Sequence, residues 1–129
     1  MKISMNEQRE KYILLVDDNT MDLRSIYQLL VNLGYRVSAT TNPHEALSLF
    51  CDDPERFDVI ITDQIMPGMR GHELASHIRE IRKDIPIIVC SGSEGALQEL
   101  QKERAEIHEF ILKPFSKSEL TDAIARVLI

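Results

Sequence analysis

The run Val59-Ile60-Ile61-Thr62 stops abruptly at Asp63, and Gln64-Ile65-Met66-Pro67-Gly68 follows at once. An unbroken apolar run closed by a carboxylate and a Pro-Gly turn predicts a strand buried on both faces, the kind found in parallel sheets. Such a strand delivers Asp63 to its carboxyl end, where open α/β sheets bind their ligands.

The remainder of the chain repeats this unit. Residues 12–16 form a second buried run, ending at Asp17-Asp18. Asn19, with Asp22 three residues on, predicts a helix start, and Leu23, Ile26, Tyr27, Leu30 and Leu33 share a helical face that Gly34 closes. Residues 36–41 alternate and are more polar, which predicts an edge strand. Asn42-Pro43-His44-Glu45 offers an N-cap, a first-turn proline and a capping-box glutamate, with Ala46, Leu47 and Phe50 on the buried side.

The third strand is predicted over 57–62. Leu74, Ile78 and Ile81 then mark an amphipathic helix ending near Lys83, and a fourth strand over 85–90 runs into Ser91. Residues 94–105 carry Ala96, Leu97 and Leu100 among seven charged or amide side chains, which predicts a weakly buried helix able to move. A short strand over 110–112 stops at Lys113-Pro114. Ser116 and Glu119 form a capping box before a helix that buries Leu120, Ile124, Val127 and Leu128. The pattern predicts a flavodoxin-like, doubly wound (βα)5 domain of the α/β class over 12–129, preceded by a flexible segment over 1–11. Its five-stranded parallel sheet takes the order 2-1-3-4-5, because the polar second strand then lies at an edge.

Composition narrows the function. The chain has 129 residues, enough for one domain with a real core. A formal charge of -6 argues against direct nucleic-acid binding. Residues 1–11 lack the apolar block of a secretory signal, and no run is long enough to cross a membrane, so a soluble, cytoplasmic domain without membrane insertion is expected. Cys51 and Cys90 are too few for a disulfide framework and are read as structural.

Asp17, Asp18, Asp63, Ser91 and Lys113 all fall at carboxyl ends of predicted strands, and therefore on one edge of one sheet. Two carboxylates about 4 Å apart repel by about 4 kcal/mol at an effective dielectric of about 20, so three together call for a cation or protons. Oxygen ligands alone suit magnesium, and a lysine with a hydroxyl suits the oxygens of a phosphoryl group. The constellation points to a site where Asp63 forms an acyl phosphate.

Val16-Asp17-Asp18-Asn19, Asp63 with Met66-Pro67-Gly68, Ser91-Gly92 and Lys113-Pro114-Phe115 resemble the signature of the receiver domain of two-component response regulators. The resemblance implies that Asp63 is the phosphoacceptor, and that Asp17 and Asp18 bind magnesium with the backbone carbonyl of Gln64. It implies that Ser91 and Lys113 contact the phosphoryl group, that the Lys113–Pro114 bond is cis, and that Phe110 is the switch aromatic. It further implies a sensor histidine kinase or histidine phosphotransfer protein as donor and a downstream effector protein as partner. The face of the fourth helix, fifth strand and fifth helix would shift as the output surface, with a monomer or weak dimer through that face. Turnover would be limited to self-phosphotransfer and slow self-dephosphorylation, so the domain is not read as an enzyme. The resemblance also implies that Ile65 and Ser93 occupy the positions that set phosphate lifetime, and an isoleucine, unable to orient water, predicts a long-lived state.

The wording around Asp63 also resembles receivers attached to hybrid histidine kinases, from which this chain could be excised. A magnesium-dependent phosphatase with an aspartyl-phosphate intermediate is the rival reading. It would need a D-x-D pair and a cap, whereas Asp17 and Asp18 are adjacent and no insertion could form a cap. His72 and His77 are one residue too far apart for H-E-x-x-H and are read as surface residues, while His44 and His108 have no ligand-like partners at useful spacing.

Overall fold

A computed structural model describes residues 10–102 and 107–128. Strands and helices alternate as β1 (Tyr12–Val16), α1 (Thr20–Asn32), β2 (Arg36–Thr40), α2 (Pro43–Asp52), β3 (Val59–Asp63), α3 (Gly71–Ile81), β4 (Ile87–Ser91), α4 (Glu94–Lys102), β5 (Glu109–Leu112) and α5 (Lys117–Val127). All pairings are parallel and the strand order is β2-β1-β3-β4-β5, as the polarity of β2 predicts.

Alternation along each strand divides the core between the two faces of the sheet. Leu14, Val16, Ile60, Ile87 and Val89 pack with Ala46 and Phe50 of α2, Leu74 and Ile78 of α3, and Leu97 and Leu100 of α4. Ile13, Leu15, Val59, Ile61, Ile88 and Cys90 pack with Ile26 and Leu30 of α1 and Leu120, Ala123 and Ile124 of α5. Each fully buried Leu or Ile contributes about 1.5–3 kcal/mol, so the three central strands carry much of the stability.

Helix starts follow their caps. Asn19 accepts from the Asp22 N–H, Asn42 from the His44 and Glu45 N–H groups, and Ser116 and Glu119 form the predicted reciprocal box. Several expectations shift. β3 and β4 pair only from Val59 and Ile87, because Phe57 and Ile85 are fully buried yet precede the paired residues. Tyr27 and Ile81 are exposed, at 40% and 43%, and Val127 and Leu128 are half-buried. Lys11, at the end of the segment expected to be flexible, is tied to the sheet, its carbonyl accepting the Arg36 N–H at 2.9 Å. Residues 1–9 of the expected flexible segment, and the stretch 103–105 of the expected fourth helix, lie outside the described residues.

Register places the site. Val16 pairs with Thr62, which sets Asp17 level with Asp63; Asp63 pairs with Cys90, and Ser91 with Leu112. Four strand ends therefore meet within about one residue of each other along the strand direction. No helix among the described residues is long and apolar enough to cross a membrane.

Candidate functional site at the carboxyl edge of the sheet

One carboxylate oxygen from each of Asp17, Asp18 and Asp63 lies within 4.8 Å of the others. Asp17 is buried, Asp63 partly so, and Asp18 is exposed. β1 and β3 hold the first and third rigidly, since both strands are buried on both faces. Lys113 reaches across from the end of β5. Its Nζ donates to Asp17 Oδ2 at 2.6 Å and to Asp22 Oδ2 at 3.1 Å, and stands 3.8 Å from Asp63 Oδ1. Its backbone is held by the Lys113 N–H donating to the Ser91 carbonyl at 2.8 Å, and the Lys113–Pro114 peptide is cis.

Burial pushes the Asp63 carboxyl up to about 6 from an ordinary 3.8; Lys113 opposes the rise and Asp17 adds to it. Burial alone would lower the Lys113 ammonium, but the hydrogen bond and charge of Asp17, joined by Asp22 and Asp63, hold it well above its ordinary value. Three carboxylates, Asp17, Asp22 and Asp63, thus share one fixed ammonium with Asp18 beside them, so the cluster retains an excess of negative charge. The neighbouring Cys90 thiol is pushed by burial to about 12 and stays protonated.

Above the cluster opens a cleft of about 560 Å³, lined by Asp18, Asp22, Asp63, Gly92, Lys113 and Phe115 among others. Asp22 is thus more than a cap partner: its N–H serves the cap while its carboxylate faces the cleft. Ser91 is buried, and its Oγ accepts the Ser93 N–H at 3.1 Å, which leaves its own O–H to donate. Ser93 Oγ accepts the Ala96 N–H at 3.1 Å and so caps α4. Ile65 is 47% exposed beside the acceptor strand, and Phe110 is half-buried against the core on the α4 side of the sheet.

The expectation for the Gln64 carbonyl meets a competitor, because that oxygen accepts the Gly71 N–H at 2.9 Å. The carbonyl of Ile65, next along the chain, accepts no hydrogen bond among the described residues. Two histidines read as unremarkable also have partners. His72 Nδ1 lies 2.8 Å from Gln64 Nε2, and His108 Nδ1 lies 3.0 Å from Nη2 of Arg79. Arg79 itself is buried, and donates to the carbonyls of Lys83 and Ile85. A buried arginine on the core side of α3 has no local sequence signal, since its partners are carbonyls beyond the helix end.

The family described as response regulator receiver domain matches residues 13–125. Over 129 residues, 99% of this chain, the protein is 33% identical to a probable transcriptional regulator, ycf27, of Cyanidium caldarium, of which it spans 51%. It is 33% identical over 121 residues to the two-component response regulator ORR5 of Oryza sativa subsp. japonica, covering 91% of this chain and 88% of that one. The solved structure of the response regulator TrrA from Thermotoga maritima in complex with Mg(2+)-BeF superposes with a TM-score of 0.82 at 30% identity, covering 92% and 99% of the two chains. With its fold and strand order in agreement, this chain belongs to the receiver domains of two-component response regulators, whose role is phosphoacceptor signalling.

Proposed function

We propose that Asp63 accepts a phosphoryl group from a phosphohistidine of a sensor histidine kinase or histidine phosphotransfer protein, in the cytoplasm. The observation that carries this reading is the Asp17–Asp18–Asp63 cluster with Lys113 poised 3.8 Å from Asp63. A set of hard oxygen donors with no histidine or thiolate, carrying excess negative charge, fits magnesium. Asp17, Asp18 and Asp63 would hold it, and the free Ile65 carbonyl is a better backbone donor than the engaged carbonyl of Gln64. When bound, magnesium supplies the positive charge that lets an anionic phosphoryl group approach these carboxylates.

Oδ1 of Asp63 accepts the Gln64 N–H at 3.1 Å, so Oδ2 is the oxygen left to attack. A P–O bond forms to Oδ2 as the P–N bond to the donor imidazole breaks, and the released nitrogen keeps the electron pair. Lys113 can then turn from Asp17 and Asp22 to a phosphoryl oxygen, and the Ser91 hydroxyl can donate to another. Their movement would draw on the ends of β4 and β5, shifting α4 and Phe110 and changing the α4–β5–α5 face seen by an effector protein or a second copy. The domain performs one transfer and slow self-dephosphorylation, without turnover of free substrate.

Intact mass after incubation with magnesium and acetyl phosphate tests the reading. One phosphoryl adduct is expected in the wild type and none in Asp63→Asn. An adduct that persists in the variant would sink it, and continuous release of phosphate from a generic ester would favour the phosphatase instead.

A further inference from the structure

Gln64 follows the acceptor directly, and its side chain is only 3% exposed. Both ends of its amide meet a single residue eight positions on. The His72 N–H lies 2.9 Å from Oε1, and His72 Nδ1 lies 2.8 Å from Nε2. A backbone N–H can only donate, which fixes the amide oxygen on that side. Nε2 must then donate to Nδ1, so the ring is neutral and carries its proton on Nε2.

The same glutamine is tied at every other polar atom. Its N–H lies 3.1 Å from Asp63 Oδ1 and 2.8 Å from the Cys90 carbonyl, and its carbonyl accepts the Gly71 N–H. Gly71 permits this approach: a Cβ there would overlap the Asp63 carbonyl oxygen and lie 3.0 Å from both Cα and Oε1 of Gln64. The first two residues of α3 are thus clamped onto the residue that holds the acceptor's Oδ1. On its far side, Gln64 borders a cavity of about 310 Å³ shared with Arg70, His72 and Ala96, Glu99 and Leu100 of the α4 region.

We propose that Gln64 and His72 form a clasp that positions Asp63 and the following loop, residues 65–70, for phosphoryl transfer. The proposal rests on Asp63 being the acceptor. Without the clasp, the Gln64 side chain no longer braces its backbone, which keeps only its bonds to Cys90 and Gly71, and the 3.1 Å hydrogen bond that selects Oδ2 as the attacking oxygen loosens. The Ile65 carbonyl, next along the chain, moves as well. Outer groups that orient reacting or ligating residues commonly matter by about tenfold or more.

Three variants test the clasp by acetyl phosphate labelling with magnesium: Gln64→Met, His72→Phe and His72→Asn. Gln64→Met keeps volume and loses both bonds; His72→Phe loses only the ring acceptor; Asn restores an acceptor near the place of Nδ1. Labelling is expected to slow about tenfold in the first two and to stay within about twofold of wild type in His72→Asn. Imidazole nitrogen NMR of the unphosphorylated protein gives a readout apart from labelling, with His72 expected as the fixed Nε2–H tautomer in the wild type and as a mixture in Gln64→Met. Wild-type labelling rates in folded Gln64→Met and His72→Phe would overturn the clasp, as would an Nδ1–H tautomer in the wild type. If Gln64→Met fails to fold, His72→Phe, which keeps the backbone bond, decides. Label that survives Asp63→Asn would defeat the acceptor assignment; label lost there but unaltered in both clasp variants would defeat the clasp alone.

Discussion

The two strand-to-helix junctions that flank the site, β3 to α3 and β4 to α4, are built in opposite ways. The first is closed by the Gly71 and His72 N–H groups and the His72 ring, all directed to Gln64, with Met66 and Met69 buried beneath it. The second hangs on two serine hydroxyls, Ser91 accepting from Ser93 and Ser93 from Ala96, and leads into a helix that buries only Leu97 and Leu100. Gly92 between them has nothing within 4 Å of where a Cβ would stand. The junction carrying the acceptor is thus fixed, as positioning for chemistry demands, while the junction carrying the hydroxyl has room and few bonds to lose.

Alanine at the two glycines should give the largest contrast. Gly71→Ala drives a methyl group into the backbone of Asp63 and Gln64, which cannot yield without moving α3. A loss of about 3 kcal/mol is expected in urea unfolding. Gly92→Ala should stay within about 0.5 kcal/mol, and equal losses at both would show that the junctions are equally tight.

A smaller effect separates strain from packing at the fixed junction. The folded state holds the Asp63 proton more tightly than the unfolded chain, with a value of about 6 against 3.8. The stabilisation from that proton is complete below about pH 4 and is lost as pH rises through about 6. In magnesium-free buffer at pH 7, Asp63→Asn should therefore be more stable than the wild type by about 2 kcal/mol and lack this slope. A variant with unchanged stability and slope would mean that Lys113 already neutralises the cluster.

The smallest effect belongs to the loose junction. Ser93→Ala removes the cap on Ala96 and should cost about 1 kcal/mol, read as faster amide exchange confined to α4. Faster exchange spreading into α3 would show that the two junctions are coupled before any phosphoryl group arrives.

Most of this architecture was legible in the chain because burial writes itself locally. The apolar runs at β1, β3 and β4 and the polar β2 specify a parallel sheet and its edge, and the acidic pair, Asp63, Ser91 and Lys113 each stand where a run stops. Strand starts were less legible, because Phe57 and Ile85 are as buried as strand residues without being paired. The clasp was invisible for a different reason. Nothing in Gln64 or His72 marks a bond between residues eight apart across a turn, and a lone histidine on a helix reads most simply as surface. Asp22 and Arg79 hid in the same way, one as an ordinary cap partner and the other as an ordinary helix cation.

The Lys113–Asp17 pair has a consequence for synthesis. It joins residues 96 apart in sequence, and Lys113 follows Asp63 by 50 residues (113 − 63). A growing chain therefore presents the three clustered carboxylates well before the ammonium that restrains them, and the β1–β3 pair must tolerate its own repulsion until β5 arrives. Contacts of such separation form late in parallel sheets. The last strand to be made is thus the one that both completes the sheet and settles its charge, so a chain truncated before β5 should be neither stable nor competent, and competence arrives with the folded state.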